Sequence, residues 1–204
     1  MLLNFKESLN ILERYDIPLV ESFVVDNRES LLEALERVGF PAVMKIDSKE
    51  IVHKTDIGGV KLGIDSEEVA FSALEELLNI NGSGVIVQKH TEGEEVIIGG
   101  KKDEVFGPII MVGLGGVLVE IYKDIVFRLA PLDKSEAVDM IEDIKGKSIL
   151  EGFRGRPVAN KDLLAELLVK TSHLLEEEQQ IKELDFNPVL VGESSLVCDV
   201  KLVV

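Results

Sequence analysis

Three groups of residues in this 204-residue sequence have the types and spacing to do chemistry. The first lies near the C-terminus, in ELDFNPVLV (183–191). Asp185 and Asn187 alternate with the apolar Leu184, Phe186 and Val189, so a strand here puts the two polar side chains on one face. Asp199, in VCDVK, follows twelve residues after Asn187, and a hairpin turning at Gly192-Glu193-Ser194 brings the two together. Two or three oxygen ligands on one sheet face suit Mg²⁺, which takes few protein oxygens and fills its octahedron with water and phosphate. The alternative is a strand whose acids face solvent and whose Asn-Pro only ends it.

The second group is cationic. Lys45 sits in the otherwise apolar run PAVMKI, where a charge is costly unless it is paired or faces a ligand. A strand-end lysine reaching out to water is the other reading. Lys61 repeats the pattern in GGVKLG, and two lysines on neighbouring strands beside a loop could grip nucleotide phosphates. The third group is IVHKTDIGGV. His53 lies mid-loop, and a largely neutral imidazole at pH 7 is a competent nucleophile toward phosphorus. A lone loop histidine can equally be solvent-exposed and idle, the reading given to His90 and His173.

Two glycine clusters imitate phosphate-binding loops and fail. Gly146-Lys147-Ser148 would end a P-loop, but the glycine required five residues earlier is Ile141. Gly113-Leu114-Gly115-Gly116 resembles a dinucleotide fingerprint, but the third glycine would fall on Leu118. Cys198 has no partner at zinc-ligand spacing.

The elements that must position these residues alternate between strand and helix patterns. Residues 4–15 read as an amphipathic helix with Phe5, Leu9 and Leu12 on one face. Strands are expected at 19–25, 40–46, 59–64, 84–90, 93–102, 106–113, 124–131, 182–191 and 195–204. Asp26 with Glu29, and Asp133 with Glu136, read as capping boxes; Ser66 and Asn160 open two further helices. The polar stretch 47–58 is too long for a tight turn, and loops of about a dozen residues are often functional. This is an α+β pattern with a break near 88–93. With 22 basic and 38 acidic residues the net charge is −16, which argues against nucleic acid and anionic membranes as partners. A single cysteine excludes an internal disulfide and fits a reducing cytoplasm. No signal-peptide pattern opens the sequence, and no apolar run is long enough to span a bilayer.

The order of these pieces resembles the beta subunit of ADP-forming acetyl-CoA (acyl-CoA) synthetase, an ATP-grasp protein related to succinyl-CoA synthetase beta. The resemblance runs from about residue 15 to the end, through GFPAVMKI, IVHKTDIGGVKLGI, EGEEVIIGG, FGPIIMVGLGGVLVEIYKDIVFRLAPL, EGFRGRP, ELDFNPVLV and LVCDVK. It implies an ATP-grasp fold of two α+β lobes clasping a nucleotide. A helical segment (1–18) would precede a smaller lobe (19–90) with a mobile histidine loop (47–59), then a larger lobe (91–204) with a magnesium-binding hairpin. Lys45 would contact the nucleotide phosphates, and Gly58, Gly59 and Lys61 would cover them. Val87, Gln88 and Lys89 match the hinge beside the adenine; Glu95, with Glu94 its rival by one position, matches the ribose-binding acid. Asn187 and Asp199 match Mg²⁺ ligands, with Asp185 a third acid. His53 would carry the phosphoryl group, and Arg128 and Arg154 would bind phosphate or an interface. The implied cofactors are Mg²⁺ and ATP/ADP. The implied partner is a separate CoA-binding alpha subunit in a hetero-oligomer, since no CoA-binding Rossmann fingerprint occurs here. The implied reaction is acyl-CoA + ADP + Pi ⇌ acid + ATP + CoA. A carboxylate–amine ligase of the same fold and a non-catalytic nucleotide-binding module are the rival readings.

Overall fold

Side-chain caps set where the helices begin. In the computed structural model, which describes residues 1–51, 54–80, 84–116, 124–155 and 157–204, the expected box at Asp133 and Glu136 forms reciprocally and opens helix α4 (Lys134–Glu142). Ser66 caps α3 (Glu67–Leu78) and Asn160 caps α5 (Lys161–Glu177). The helix α2 (Arg28–Val38) departs from expectation by one residue. Its cap is Asn27, whose side chain accepts from Ser30 N, while Asp26 accepts from the Asn27 amide instead. The cap must precede the first helical residue, and Asp26 is one position too early.

Contacts divide the chain into two units, Met1–Glu7 with Val20–Thr91, and Ser8–Leu19 with Glu92–Val204. The N-terminal residues, expected as a segment of their own, are shared between them: helix α1 (Phe5–Arg14) starts in the first and continues in the second.

The first unit holds four antiparallel strands, β1 (Ser22–Val25), β2 (Ala42–Asp47), β3 (Val60–Ile64) and β4 (Gly84–Lys89), in the order β1-β4-β2-β3. Strand alternation sends Val25, Met44, Ile46, Val85 and Val87 to one face, where they pack with Leu31 and Leu35 of α2 and Leu74 and Leu77 of α3. The opposite face therefore carries Val43, Lys45, Ile86 and Gln88, since Val43 pairs with Gln88 and Lys45 with Ile86.

The second unit holds β5 (Glu94–Asp103), β6 (Gly107–Leu114), β7 (Ile125–Leu129), β8 (Glu183–Val191), β9 (Ser195–Val197) and β10 (Val200–Val203). Their order is β10-β8-β5-β6-β7, with β9 also pairing β8, and every pairing is antiparallel. Ile98, Ile110, Val112 and Phe186 are fully buried on the side of α5. A Cβ on Gly100 would lie 2.8 Å from Leu175 of that helix, so glycine lets helix and sheet close up. A Cβ on Gly113 would meet Asp124 O and Ile125 at 2.7 Å. The glycines that imitate a dinucleotide fingerprint thus serve strand packing.

The expected hairpin is present, with one refinement. Val96 pairs with Val189 and Ile98 with Phe186, so Asn187 and Pro188 together oppose Ile97. This bulge shifts the phase of alternation. Before it the buried residues are Leu184 and Phe186; after it they are Val189 and Val191. The strand keeps its apolar side on the core at both ends while Asn187 stays exposed.

Two outcomes test this account. Asn27→Ala should lower stability to urea by about 1 kcal/mol, and Asp26→Ala by less than about 0.5 kcal/mol. Burial, then the neighbouring Glu178 carboxylate, pushes the Tyr15 phenol up to about 12 from 10.0. A raised folded-state value means stability that is full below pH 10.0 and is lost as pH rises toward 12. Tyr15→Phe should remove that alkaline step from a series of denaturant melts.

Candidate functional site

The β8–β10 hairpin places its polar residues on the sheet face turned away from α5. Asp185 is opposite Lys201 and Phe186 opposite Val200, so the next position pairs Asn187 with Asp199. The Asn187 N–H donates to Asp199 O at 3.2 Å, which ties the two positions together at the break between β9 and β10. Across the other edge of β8, Asp185 faces Gly99 of β5. The face thus gathers Asp185, Asn187, Asp199 and Lys201, as alternation in ELDFN and DVK allows.

Electrostatics on this face oppose each other. Burial pushes the Asp185 carboxyl above the usual carboxylate range; Lys201 pulls it down, and Asp199 and Glu183 push it further up. Lys201 Nζ stands 3.5 Å from Asp185 Oδ2. Among the described residues no three His, Cys, Asp or Glu side chains converge as a metal cage. Two carboxylates and one amide oxygen are instead a donor set for Mg²⁺, a hard cation that keeps water and phosphate in its shell. The hairpin fits that group. Lys201 was not singled out from the sequence, although its two-residue spacing from Asp199 carried the signal.

Beside Asp185 a cavity of about 290 Å³ is lined by Gly99, Lys101, Ile109, Met111 and Phe127. Nearer the start of β5, Glu95 and Glu94 point to opposite sides by alternation. Val96 and Ile98 are buried toward α5, so Glu95 shares the face of Gly99 and Asp185. A Cβ on Gly115 would lie 2.6 Å from the Glu95 Cβ, and one on Gly116 3.2 Å from Glu95 Oε2. The glycine pair lets the chain after β6 run against this carboxylate. Glu94 instead borders a separate hollow with Glu92 and Glu193.

In the first unit the register separates residues that the sequence grouped. Lys45 is buried, 8 % exposed, on the face of the sheet opposite α2 and α3. Lys61 pairs with Met44, whose side chain enters the core, and so lies on the helix side; its ammonium contacts Glu76 of α3 at 2.6 Å. The two lysines do not converge on one phosphate. Gln88 is buried on the same face as Lys45, and its amide donates to Ser22 Oγ at 2.9 Å. The Val87 side chain belongs to the core, so its side chain cannot line a ligand site on the Lys45 face. Lys89 is exposed at the strand end, its N–H donating to Glu21 O.

The loop after β2 is partly ordered by its own hydrogen bonds. Ser48 Oγ accepts from Glu50 N and Ile51 N. A short 3₁₀ turn, Thr55–Ile57, ends at Gly58 with φ +71°, a conformation that favours glycine. A Cβ on Gly59 would stand 2.8 Å from Ile46 Cγ2 and Lys54 O, and Gly59 bonds both neighbours through its backbone. The two glycines therefore shape the return of the loop into β3. His53 lies outside the described residues. Arg128 is tied to Asp143 and to Phe127 O, and Arg154 stacks over Phe153 with φ +56°. Neither arginine is brought to the hairpin face by the described contacts.

Comparison with known proteins fits this geometry. The family description "ATP-grasp domain" matches residues 1–204. The beta subunit of acetate–CoA ligase [ADP-forming] I from Pyrococcus furiosus is 40 % identical over 200 residues, 94 % of this chain and 86 % of that one. Acetate–CoA ligase [ADP-forming] I from Archaeoglobus fulgidus is 39 % identical over 97 % of this chain, but the chain spans only 30 % of that protein's length. The dinucleotide forming acetyl-coenzyme A synthetase 1 of Ca. Korarchaeum cryptofilum, solved with coenzyme A and Ca-AMPCP, superposes with a TM-score of 0.93 at 34 % identity, covering 100 % of this chain and 93 % of that one. A second structure of that protein (TM-score 0.85, 33 % identity, 99 % and 92 % covered) holds Mg-AMPPCP, with a phosphohistidine segment pointing towards the nucleotide binding site. Two antiparallel α+β units and a match over the whole length place the chain in the ATP-grasp family, among the beta subunits of ADP-forming acetate–CoA ligases.

Proposed function

We propose that the chain is the nucleotide-binding part of an ADP-forming acyl-CoA synthetase, passing a phosphoryl group to ADP in acyl-CoA + ADP + Pi ⇌ acid + ATP + CoA. The observation that carries this reading is the hairpin face, where Asp185, Asn187 and Asp199 gather two carboxylates and an amide in a member of this family. No helix among the described residues is long and apolar enough to cross a membrane.

Each residue then has a physical task. Lys45, buried on the face opposite α2 and α3, offers an ammonium to the nucleotide phosphates in surroundings that strengthen the attraction. Gln88 and the backbone near Lys89 lie at the end of β4 where a base would rest, and Glu95 accepts hydrogen bonds from the ribose hydroxyls. Gly58 and Gly59 keep the loop backbone close enough to approach phosphate. Asn187 and Asp199, with Asp185, hold Mg²⁺. When bound, that ion offsets the charge of the β- and γ-phosphates and orients them for in-line transfer. His53 takes the phosphoryl group: its ring nitrogen bonds to phosphorus as the bond to the departing oxygen breaks, and ADP then displaces the ring nitrogen. Such transfer needs positioning and charge neutralisation rather than a strong acid or base.

The 30 % share of the Archaeoglobus protein supports a partner. We assign CoA and acyl-group recognition to a separate CoA-binding alpha subunit, with this chain in a hetero-oligomer in the cytoplasm.

Lys45→Ala should weaken ADP binding about 10- to 100-fold, the loss of one buried charge-assisted contact, measured by calorimetry with an intact fold verified by thermal melting. With the assembled enzyme, Mg²⁺ and γ-labelled ATP, acid-labile label should appear on this chain and vanish in His53→Ala. A His53→Ala enzyme that keeps full turnover would favour a ligase that makes acyl phosphate directly and would contradict the relay.

A further inference from the structure

While Lys101 of β5 opposes Glu183, Lys201 is the cation that the β8–β10 ladder brings against the carboxylate of Asp185. It opposes Asp185 across β8 and β10, and opposed residues of an antiparallel pair project to the same side. Its side chain is only 18 % exposed and that of Asp185 26 %, so the pair is largely withdrawn from water. A surface lysine with no role would be solvated; a withdrawn ammonium needs an anion. Yet the contact is loose. At 3.5 Å from Nζ to Oδ2 it lies at the outer limit of a hydrogen bond, in contrast to the 2.6 Å pair between Lys61 and Glu76.

We propose that Lys201 is a phosphate-binding cation that shares Asp185 with the metal: it pairs with that carboxylate in the metal-free protein and turns to the nucleotide phosphates once Asp185 serves as a ligand. The inference rests on the magnesium-site reading above. A flexible lysine stem with a compact charge can make this exchange within a few ångströms, and it leaves neither state with an uncompensated buried charge. Neighbouring charges predict an effect of opposite sign on the two ligands. Lys201 repels a divalent cation arriving alone and attracts a polyphosphate.

The test uses the assembled enzyme and reads binding rather than turnover. Mn²⁺, as a paramagnetic substitute for Mg²⁺, is titrated without nucleotide, and ADP is then titrated with saturating Mg²⁺. Lys201→Met should tighten Mn²⁺ about three- to tenfold and weaken ADP by about tenfold, and Lys201→Arg should restore both to near wild type. Lys201→Gln should show the same opposite shifts and serves if the Met variant does not fold. A purely structural pair would weaken both ligands or neither, and either result overturns the proposal. Asp199→Asn separates the two levels. If it leaves Mn²⁺ binding unchanged, the metal-site reading fails. If it abolishes that binding while both Lys201 variants bind Mn²⁺ and ADP as wild type does, only the role of Lys201 fails.

Discussion

Asp185 and Asp199 share one face of a hairpin, where they repel each other and any phosphate brought near them. In a chain of net charge −16 that repulsion is the constraint the candidate site must satisfy. Like charges a few ångströms apart and partly withdrawn from water are tolerated only with a counter-charge. Lys201 supplies part of it within the protein, and a divalent cation with a nucleotide supplies the rest in the function proposed. The acidity of the body and the anionic character of the ligand are compatible because compensation is local.

The fold makes that face available through one irregularity. A regular β8 would carry Val189 to the same side as Asp185 and Asn187, exposing an apolar residue and leaving a gap in the core beneath Val96. The bulge at Asn187-Pro188 absorbs one residue, so the core stays filled on both sides of it while the polar residues cluster where the hairpin changes from β9 to β10. In the first unit the corresponding device is alternation alone. Lys45 and Gln88 fall on the face opposite α2 and α3 because Met44 and Val87 must fill the core.

Much of this was legible in the sequence because the signals are local. The box at Asp133 and Glu136, the caps at Ser66 and Asn160 and the hairpin near Gly192 all depend on residues within a few positions of each other. What escaped depends on register or on distant packing. The side of the sheet that Lys61 takes is fixed by its pairing with Met44, which its own surroundings do not reveal. The choice of Asn27 over Asp26 turns on a single residue of helix start. Gly113, Gly115 and Gly116 spell most of a nucleotide fingerprint, yet they are glycines because Ile125 and Glu95 lie against them. Glu94 and Glu95 could be told apart only once the burial of Val96 fixed the phase of β5.

The central claim is that a magnesium nucleotide is held on the face shared by Asp185, Asn187 and Asp199. Anomalous diffraction from crystals of the assembled enzyme grown with Mn²⁺ and ADP locates the ion directly. The account predicts a Mn²⁺ peak coordinated by oxygens of the β8–β10 hairpin and of the diphosphate. A peak in the hollow of Glu92, Glu94 and Glu193 instead, with the hairpin carboxylates unliganded, would contradict it.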